Sequence, residues 1–159
     1  MRTIVISIIA GCLLLTGFAH ADEAADKALQ AATAMTKARQ GYMQLQVQQL
    51  GKMSKAGQGK GVIDEVTLKG AQNLYNLTQM LPDVFGAGSG MDDLDLSNTK
   101  MELWTMQDVL DGFINRLQRQ SERLLAMAKA NDTMGFKDEF KQVRGTCKKC
   151  HETFRFVPK

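Results

Sequence analysis

Cysteine and histidine are scarce in this sequence, which has three cysteines and two histidines among 159 residues. Cys12 and His20 fall within the first 21 positions, so the rest of the chain keeps two cysteines and one histidine, all between positions 147 and 151. A single cysteine pair is too few for the disulfide framework that stabilises small secreted domains. A fold stapled by disulfides is therefore excluded.

A strong excess of one charge is also lacking. The chain has 20 basic and 17 acidic residues, a formal net charge of +3 at pH 7. The two signs are interspersed, which argues against a nucleic-acid-binding protein. The chain is long enough for one domain that buries a hydrophobic core without disulfides.

The first 21 residues have the pattern of an export signal. Arg2 precedes an apolar run over residues 4–18, and Ala19 and Ala21 stand in A-x-A spacing. We predict a signal peptide over residues 1–21 that is removed after Ala21, with residues 22–159 forming one exported, soluble domain in the periplasm.

Two other roles for the leader fit less well. A membrane anchor is disfavoured because the apolar run is short and is interrupted by Gly11 and Thr16. The sequence IAGC ending at Cys12 resembles a lipoprotein cleavage box, but the residues after it are strongly apolar instead of forming a polar tether.

Four segments have the apolar spacing of amphipathic helices, and none reads as a strand. They cover residues 24–53, 62–81, 98–130 and a last segment that starts after the Asn-Asp pair at 131–132. The predicted apolar faces of the first three are Leu29, Met35, Tyr42, Met43, Val47 and Leu50; Ile63, Val66, Leu74, Leu77 and Leu81; and Leu103, Met106, Leu110, Phe113, Leu117, Leu124 and Met127. This pattern predicts an all-α four-helix bundle, a fold that commonly holds a cofactor between facing helices.

The last segment has its cysteines and its histidine on the face that is predicted to be buried. One predicted stripe contains Phe136, Phe140, Val143, Cys147, Cys150, His151 and Phe154. The cysteines and the histidine are therefore expected to face the interior of the bundle.

The sequence CKKCH at 147–151 is compatible with three kinds of site. Structural zinc needs four ligands, and three on one helix lie too close together to surround an ion. A thioredoxin-type dithiol lies where a strand enters a helix, and no such strand is indicated. Two free thiols without a function are a poor fit to an exported protein, in which they would oxidise. C-x-x-C-H is the signature of c-type haem attachment, so we predict one covalent haem c on Cys147 and Cys150, with His151 as an axial iron ligand.

The other side of the iron has no histidine available. Coordination by two histidines is therefore excluded, and the sixth position is left to methionine, lysine, an exogenous molecule or nothing. Most methionines are flexible core filler, so the motif alone selects none of them.

These features resemble the class II c-type cytochromes, the family of cytochrome c′ and cytochrome c-556. The resemblance covers nearly all of residues 22–159 and rests on the C-terminal CKKCHETFR, on RQGYM in the first helix and on ELW near the start of the third. It implies a left-handed antiparallel four-helix bundle with covalent haem on the C-terminal helix. Met101 replaces the proline that the family has before this glutamate, and Trp104 is expected to pack in the bundle.

The resemblance also implies roles for individual residues. Arg39 would approach a haem propionate, and Met43 would face the distal side of the iron. Arg155 would lie beside the proximal imidazole of His151. The spacing of Arg39 and Met43 agrees with this arrangement because residues four apart share a helix face.

Two functions follow, and neither is enzymatic. The first is periplasmic electron transfer with His151 and Met43 as the two axial ligands. The alternative is a five-coordinate iron that binds nitric oxide or carbon monoxide, with Met43 as a steric guard. A helical bundle without haem is a third possibility.

Partners are predicted only in outline. Lys137, Lys141, Lys148 and Lys149 form either an ordinary solvated face, which the sequence favours, or a docking patch for an acidic redox partner that the sequence does not identify. The resemblance also implies a possible homodimer through the first two helices.

Overall fold

The protein is an antiparallel four-helix bundle in a computed structural model that describes the backbone of residues 9–90 and 94–156, and side chains from residue 22 onward within those ranges. Its helices are α1 (Ile9–Gly57), α2 (Glu65–Gln79), α3 (Glu102–Thr105), α4 (Gln107–Lys129) and α5 (Thr133–Phe154), with a 3₁₀ turn at Leu81–Val84. The four long helices form the bundle, and the described residues contain no strand beyond one isolated bridge between Thr99 and Arg155. The all-α class and the bundle are confirmed.

The predicted signal peptide overlaps the start of α1. Residues 1–8 lie outside the described part of the chain, and only the backbone is described for residues 9–21. The leader, its cleavage point and the lipoprotein alternative at Cys12 therefore stay predictions. In the part of the chain that the structure describes, no helix is long and apolar enough to cross a membrane.

The helix boundaries follow local signals. α2 begins after Asp64, whose carboxylate accepts a hydrogen bond from the Thr67 amide at 2.8 Å. It ends at Gln79, slightly before the predicted residue, and Pro82 stands in the first turn of the 3₁₀ segment. Asn131 adopts a positive φ of 53° between α4 and α5, which confirms the predicted break there.

The single third helix predicted over 98–130 is wrong in its first part. Thr99 is in extended backbone, α3 is one short turn, and Met106 leaves helical geometry with φ −118° and ψ 53° before α4 starts. The reason is tertiary: the Lys100 amide donates to Phe154 O, and the Phe156 amide donates to Asn98 O, both at 2.9 Å. This pairing draws the segment onto the end of α5 and out of the helix.

The apolar faces of the first two helices are only partly as predicted. Leu29, Val47 and Val66 are 53%, 58% and 55% exposed. The stripe that α1 buries is instead largely polar: Thr36, Arg39, Tyr42, Gln46, Gln49 and Met53. A pattern of apolar residues cannot locate a buried face that is built mainly from polar ones.

α5 matches its prediction closely. Phe136, Phe140, Val143 and Phe154 are buried, whereas the cysteines of the motif and His151 are half-buried. At the start of α5 the bundle is tightly packed, and a Cβ at Gly57 would overlap the Phe140 ring. At the other end of α5 the helices separate around a cavity.

Candidate functional site

A cavity of about 620 Å³ lies where α5 ends, between α1, α4 and α5. α5 contributes the two cysteines and the histidine of its motif, and α1 contributes Met43 from the opposite wall. The apolar lining is completed by Val47, Leu50, Leu81, Phe85, Leu103, Leu110, Phe113, Ile114, Leu117 and Phe154. Phe113 and Phe154 meet edge to face with ring centroids 6.1 Å apart. The cavity wall is therefore mostly hydrophobic, with thiol and imidazole groups on the α5 side and a thioether on the α1 side.

The α5 wall brings the predicted haem-attachment residues together. Cys147 and Cys150 are free thiols, and burial raises the pKa of each to about 11. Burial also lowers the pKa of His151, and the nearby charge of Arg155 lowers it further. A neutral imidazole is the form that binds a metal. The motif thus presents two protonated thiols and a neutral imidazole to one cavity.

The end of α5 is held by the segment before α3. Besides the backbone pairing, Lys100 Nζ donates to Glu152 O at 3.1 Å and to Thr153 O at 3.3 Å. These carbonyls belong to the last turn of α5, where helix carbonyls have no intrahelical partner and a cation is favoured. With the Asn98 amide turned so that its oxygen faces Arg155, that oxygen accepts from Nε at 3.1 Å and Nη2 at 3.2 Å. Arg155 is exposed and lines the cavity.

Arg39 is a buried cation on the α1 wall. It is 4% exposed and donates to Ser89 Oγ at 2.7 Å, Ser89 O at 2.8 Å and Ser97 Oγ at 3.3 Å. Burial lowers the pKa of its guanidinium. Among the described residues that line the cavity there is no Asp or Glu, while Lys37 and Arg155 add two further cations.

This charge arrangement fits a haem. A buried charge is normally paired with an opposite one, so the cavity favours an anionic group, and haem has two carboxylates. The rest of the lining is apolar, as a porphyrin requires. The C-x-x-C-H motif supplies the attachment and proximal groups from the same wall.

Met43 lies on the side of the cavity away from the motif. Its side chain is half-buried, and its Sδ accepts a long contact of 3.9 Å from Nε2 of buried Gln46 on the same helix. Met43 is the one methionine among the described lining residues. It therefore covers part of the cavity wall that α1 contributes, with its sulfur directed along α1 toward Gln46.

Sequence reasoning missed three residues that position the site. Ser89 and Ser97 hold Arg39, and Lys100 holds the end of α5. All three lie in the long connection between α2 and α4, where no periodicity marks them, and the fold alone brings them to the site. Trp104 packs as expected, donating from Nε1 to Gly86 O at 3.0 Å, and is not part of the cavity wall.

Residues 34–155 match the family described as Cytochrome C′. The chain belongs to the cytochrome c′ family. A cytochrome c′ from Cereibacter sphaeroides is 32% identical over 126 residues, which are 76% of this chain and 82% of that protein. The solved structure of a cytochrome c′ from Rhodobacter sphaeroides is 25% identical, superposes with a TM-score of 0.73, and covers 80% of this chain and 98% of that one.

A third comparison supports the fold alone. It is a ferrous variant of cytochrome c′ from Alcaligenes xylosoxidans with bound nitric oxide, which is 21% identical and has a TM-score of 0.70. It covers 80% of this chain and 97% of that one. Like its family, the protein is a c-type cytochrome with covalently attached haem c and iron.

Proposed function

We propose that Cys147 and Cys150 attach the haem through thioether bonds and that His151 binds the iron on the proximal side. The proposal is supported by their place on one wall of the cavity, three residues apart and then adjacent on α5. Arg39 would pair with a propionate, and Arg155 would lie beside the imidazole, whose pKa it already lowers. The haem, when bound, supplies an iron that can change oxidation state or take up a small ligand.

For the open side of the iron, we propose binding of a diatomic gas, nitric oxide or carbon monoxide. The observation that carries this proposal is the contact between Met43 Sδ and Gln46 Nε2, which gives the thioether a partner on its own helix. Met43, Val47 and Leu50 then form an apolar wall that admits a small uncharged molecule and disfavours water. The relative from Alcaligenes xylosoxidans that was solved with nitric oxide bound supports the same reading by analogy.

Electron transfer with Met43 as sixth ligand is the second candidate. It is favoured by one fact, that Met43 is the thioether on the wall facing the motif. Thioethers bind haem iron in electron carriers, and a flexible methionine could turn from Gln46 toward the iron. Neither function involves substrate turnover.

The optical spectrum of the holoprotein separates the two, recorded ferric and ferrous, before and after carbon monoxide. Gas binding predicts a high-spin spectrum that shifts promptly when carbon monoxide is added. Met43→Ala should leave the spin state unchanged and speed gas binding several-fold, because it removes the guard over the site. Met43→Leu is the matched control, since it keeps the bulk and removes the sulfur.

The opposite result would replace gas binding with electron transfer. In that case the wild-type spectrum is low-spin and indifferent to carbon monoxide, and both substitutions convert it to high-spin. If the Ala and Leu variants change the spin state equally, the sulfur of Met43 is what matters. If only the Ala variant binds gas faster, the bulk of the Met43 side chain is what matters.

We also propose export to the periplasm, where c-type haem is attached, with cleavage after Ala21. The mass of the purified holoprotein tests the cleavage point. A homodimer through α1 and α2 stays a proposal, supported by exposed Leu29, Leu45 and Val66 on these helices.

A further inference from the structure

The outer face of α5 that borders α1 carries a stripe of basic side chains. Lys137, Lys141, Arg144 and Lys148 are spaced by four, three and four residues, so they form one stripe along the helix, and all are exposed. The stripe continues toward Arg155 at the cavity. In the described part of the chain, Glu152 is the carboxylate that pairs with this stripe, 3.6 Å from Lys148 in an exposed pair of little energetic weight.

Two contacts show which neighbour this stripe faces. A Cβ built at Gly59, just after α1, would lie 3.2 Å from Lys137 Cδ, so the stripe starts beside the end of α1. Glu139 points the other way, where it accepts from Arg123 of α4 at 3.1 and 2.8 Å. The stripe therefore lies on the α1 side of α5 and away from α4.

Lys149 does not belong to this stripe. It is one residue beyond Lys148, which rotates it about 100° around the helix. It is ten residues from Glu139 and three from buried Thr146, so it lies on the side of α5 that faces α4. The four lysines of α5 thus divide into three on the α1 side and one on the α4 side.

The facing wall of α1 carries no negative charge. Its sequence has no Asp or Glu from residue 27 to residue 63. Gln40, Gln44 and Val47 are exposed there and also line the cavity. The groove between α1 and α5 therefore has a basic wall on α5 and an α1 wall without acidic residues, on which exposed Lys37 also lines the cavity that holds the haem-attachment residues.

We propose that this groove docks the carboxylate-rich face of an electron-transfer protein, which delivers one electron to the ferric iron. The donor is oxidised by one electron and the iron is reduced by one, with no bond made or broken. Complementary charge selects this partner: a basic stripe beside a redox centre steers an acidic protein to the cavity mouth and repels a basic one. The inference rests on haem at Cys147 and Cys150 but not on whether the iron binds gas.

The test is stopped-flow reduction of the ferric holoprotein by reduced flavodoxin, an acidic electron carrier, at low ionic strength. The groove variant is Lys137→Gln, Lys141→Gln and Lys148→Gln together. The matched control is Lys69→Gln, Lys129→Gln and Lys149→Gln, which removes the same charge from other faces. We expect the second-order rate constant to fall about tenfold in the groove variant and less than about twofold in the control, because steering depends on where the charge lies. The difference should shrink as added salt shortens the range of the charges.

Three outcomes would overturn the proposal. Equal slowing of the two triple variants would show that only net charge matters. Loss of binding to phosphatidylglycerol vesicles in the groove variant, with an unchanged flavodoxin rate, would assign the stripe to an anionic membrane surface. Absence of covalent haem from the wild-type protein would overturn both this proposal and the haem assignment. Normal haem attachment, with equal flavodoxin reduction rates in the groove and control variants, would overturn the docking proposal alone.

Discussion

The two ends of the bundle use similar side chains for different purposes. At the packed end, where α5 begins, Met53 and Phe136 are fully buried, and Phe136 stacks on Phe140 with centroids 6.3 Å apart. At the cavity end, where α5 finishes, Phe113 and Phe154 meet each other on one side and line the cavity on the other. Apolar residues at the packed end complete a core, whereas at the cavity end they complete a binding site.

This difference between the two ends indicates which residues stabilise the fold and which serve the haem site. Side chains at the packed end gain their free energy from one another, so we expect that end to stay packed without a cofactor. Those at the cavity end are expected to gain a large part of theirs from the haem, by burying apolar surface against it. Substitutions at the two ends should therefore separate effects on folding from effects on the haem.

The largest expected effect comes from removing the haem attachment. Cys147→Ala together with Cys150→Ala should abolish covalent haem and lower the free energy of unfolding by more than the roughly 3–5 kcal/mol of a single core truncation. Hydrogen exchange should accelerate at residues 146–154 and much less around Phe136. Cys150→Ala alone, which keeps one thioether, is the control and should fall in between. Equal loss of hydrogen-exchange protection at the packed end and the cavity end would contradict the distinction between them.

The next effect compares one phenylalanine from each end. Phe136→Ala should cost about 3–5 kcal/mol in chemical denaturation, because it leaves a void in a filled core, and the haem spectrum should not change. Phe113→Ala should cost less and shift the spectrum, because its ring lines the cavity. A shift of the haem spectrum in the Phe136 variant would show that the packed end also affects the haem, which contradicts the distinction between the two ends.

The smallest effect compares the two ends of α5 itself. Asp132 caps its start by accepting from the Gly135 amide at 2.9 Å, and Lys100 caps its last carbonyls. Asp132→Ala and Lys100→Met should each cost about 1 kcal/mol in thermal or chemical denaturation. Only the Lys100 variant should also change the haem spectrum, since that end carries His151. If neither or both spectra change, the two caps are equivalent and the distinction is wrong.

Sequence reasoning succeeded best on α5. Its buried stripe follows a regular spacing of aromatic and aliphatic residues, and the C-x-x-C-H motif depends on local spacing within two turns of one helix. The Asn131 break and the proline after α2 were predictable for the same reason, because both act on their own backbone. The first-helix pair Arg39 and Met43 came from the family resemblance, and the structure brings both to the cavity wall.

Sequence reasoning failed where distant segments decide the environment. α1 buries Arg39, Gln46 and Gln49, and no rule of apolar periodicity predicts a polar stripe. The third helix was placed too early because the pairing of Asn98 and Lys100 with the end of α5 is invisible along the chain.

By itself, the sequence determined the all-α class, the position of the last helix and the chemistry of its cysteine motif, because each depends on spacing within one segment. Only the tertiary structure decided which side of α1 is buried, how Ser89 and Ser97 hold Arg39, and that Lys137 of α5 lies beside the end of α1. These features depend on the rotation of one helix against another. That rotation is fixed by packing among residues far apart in the chain, which no local pattern contains.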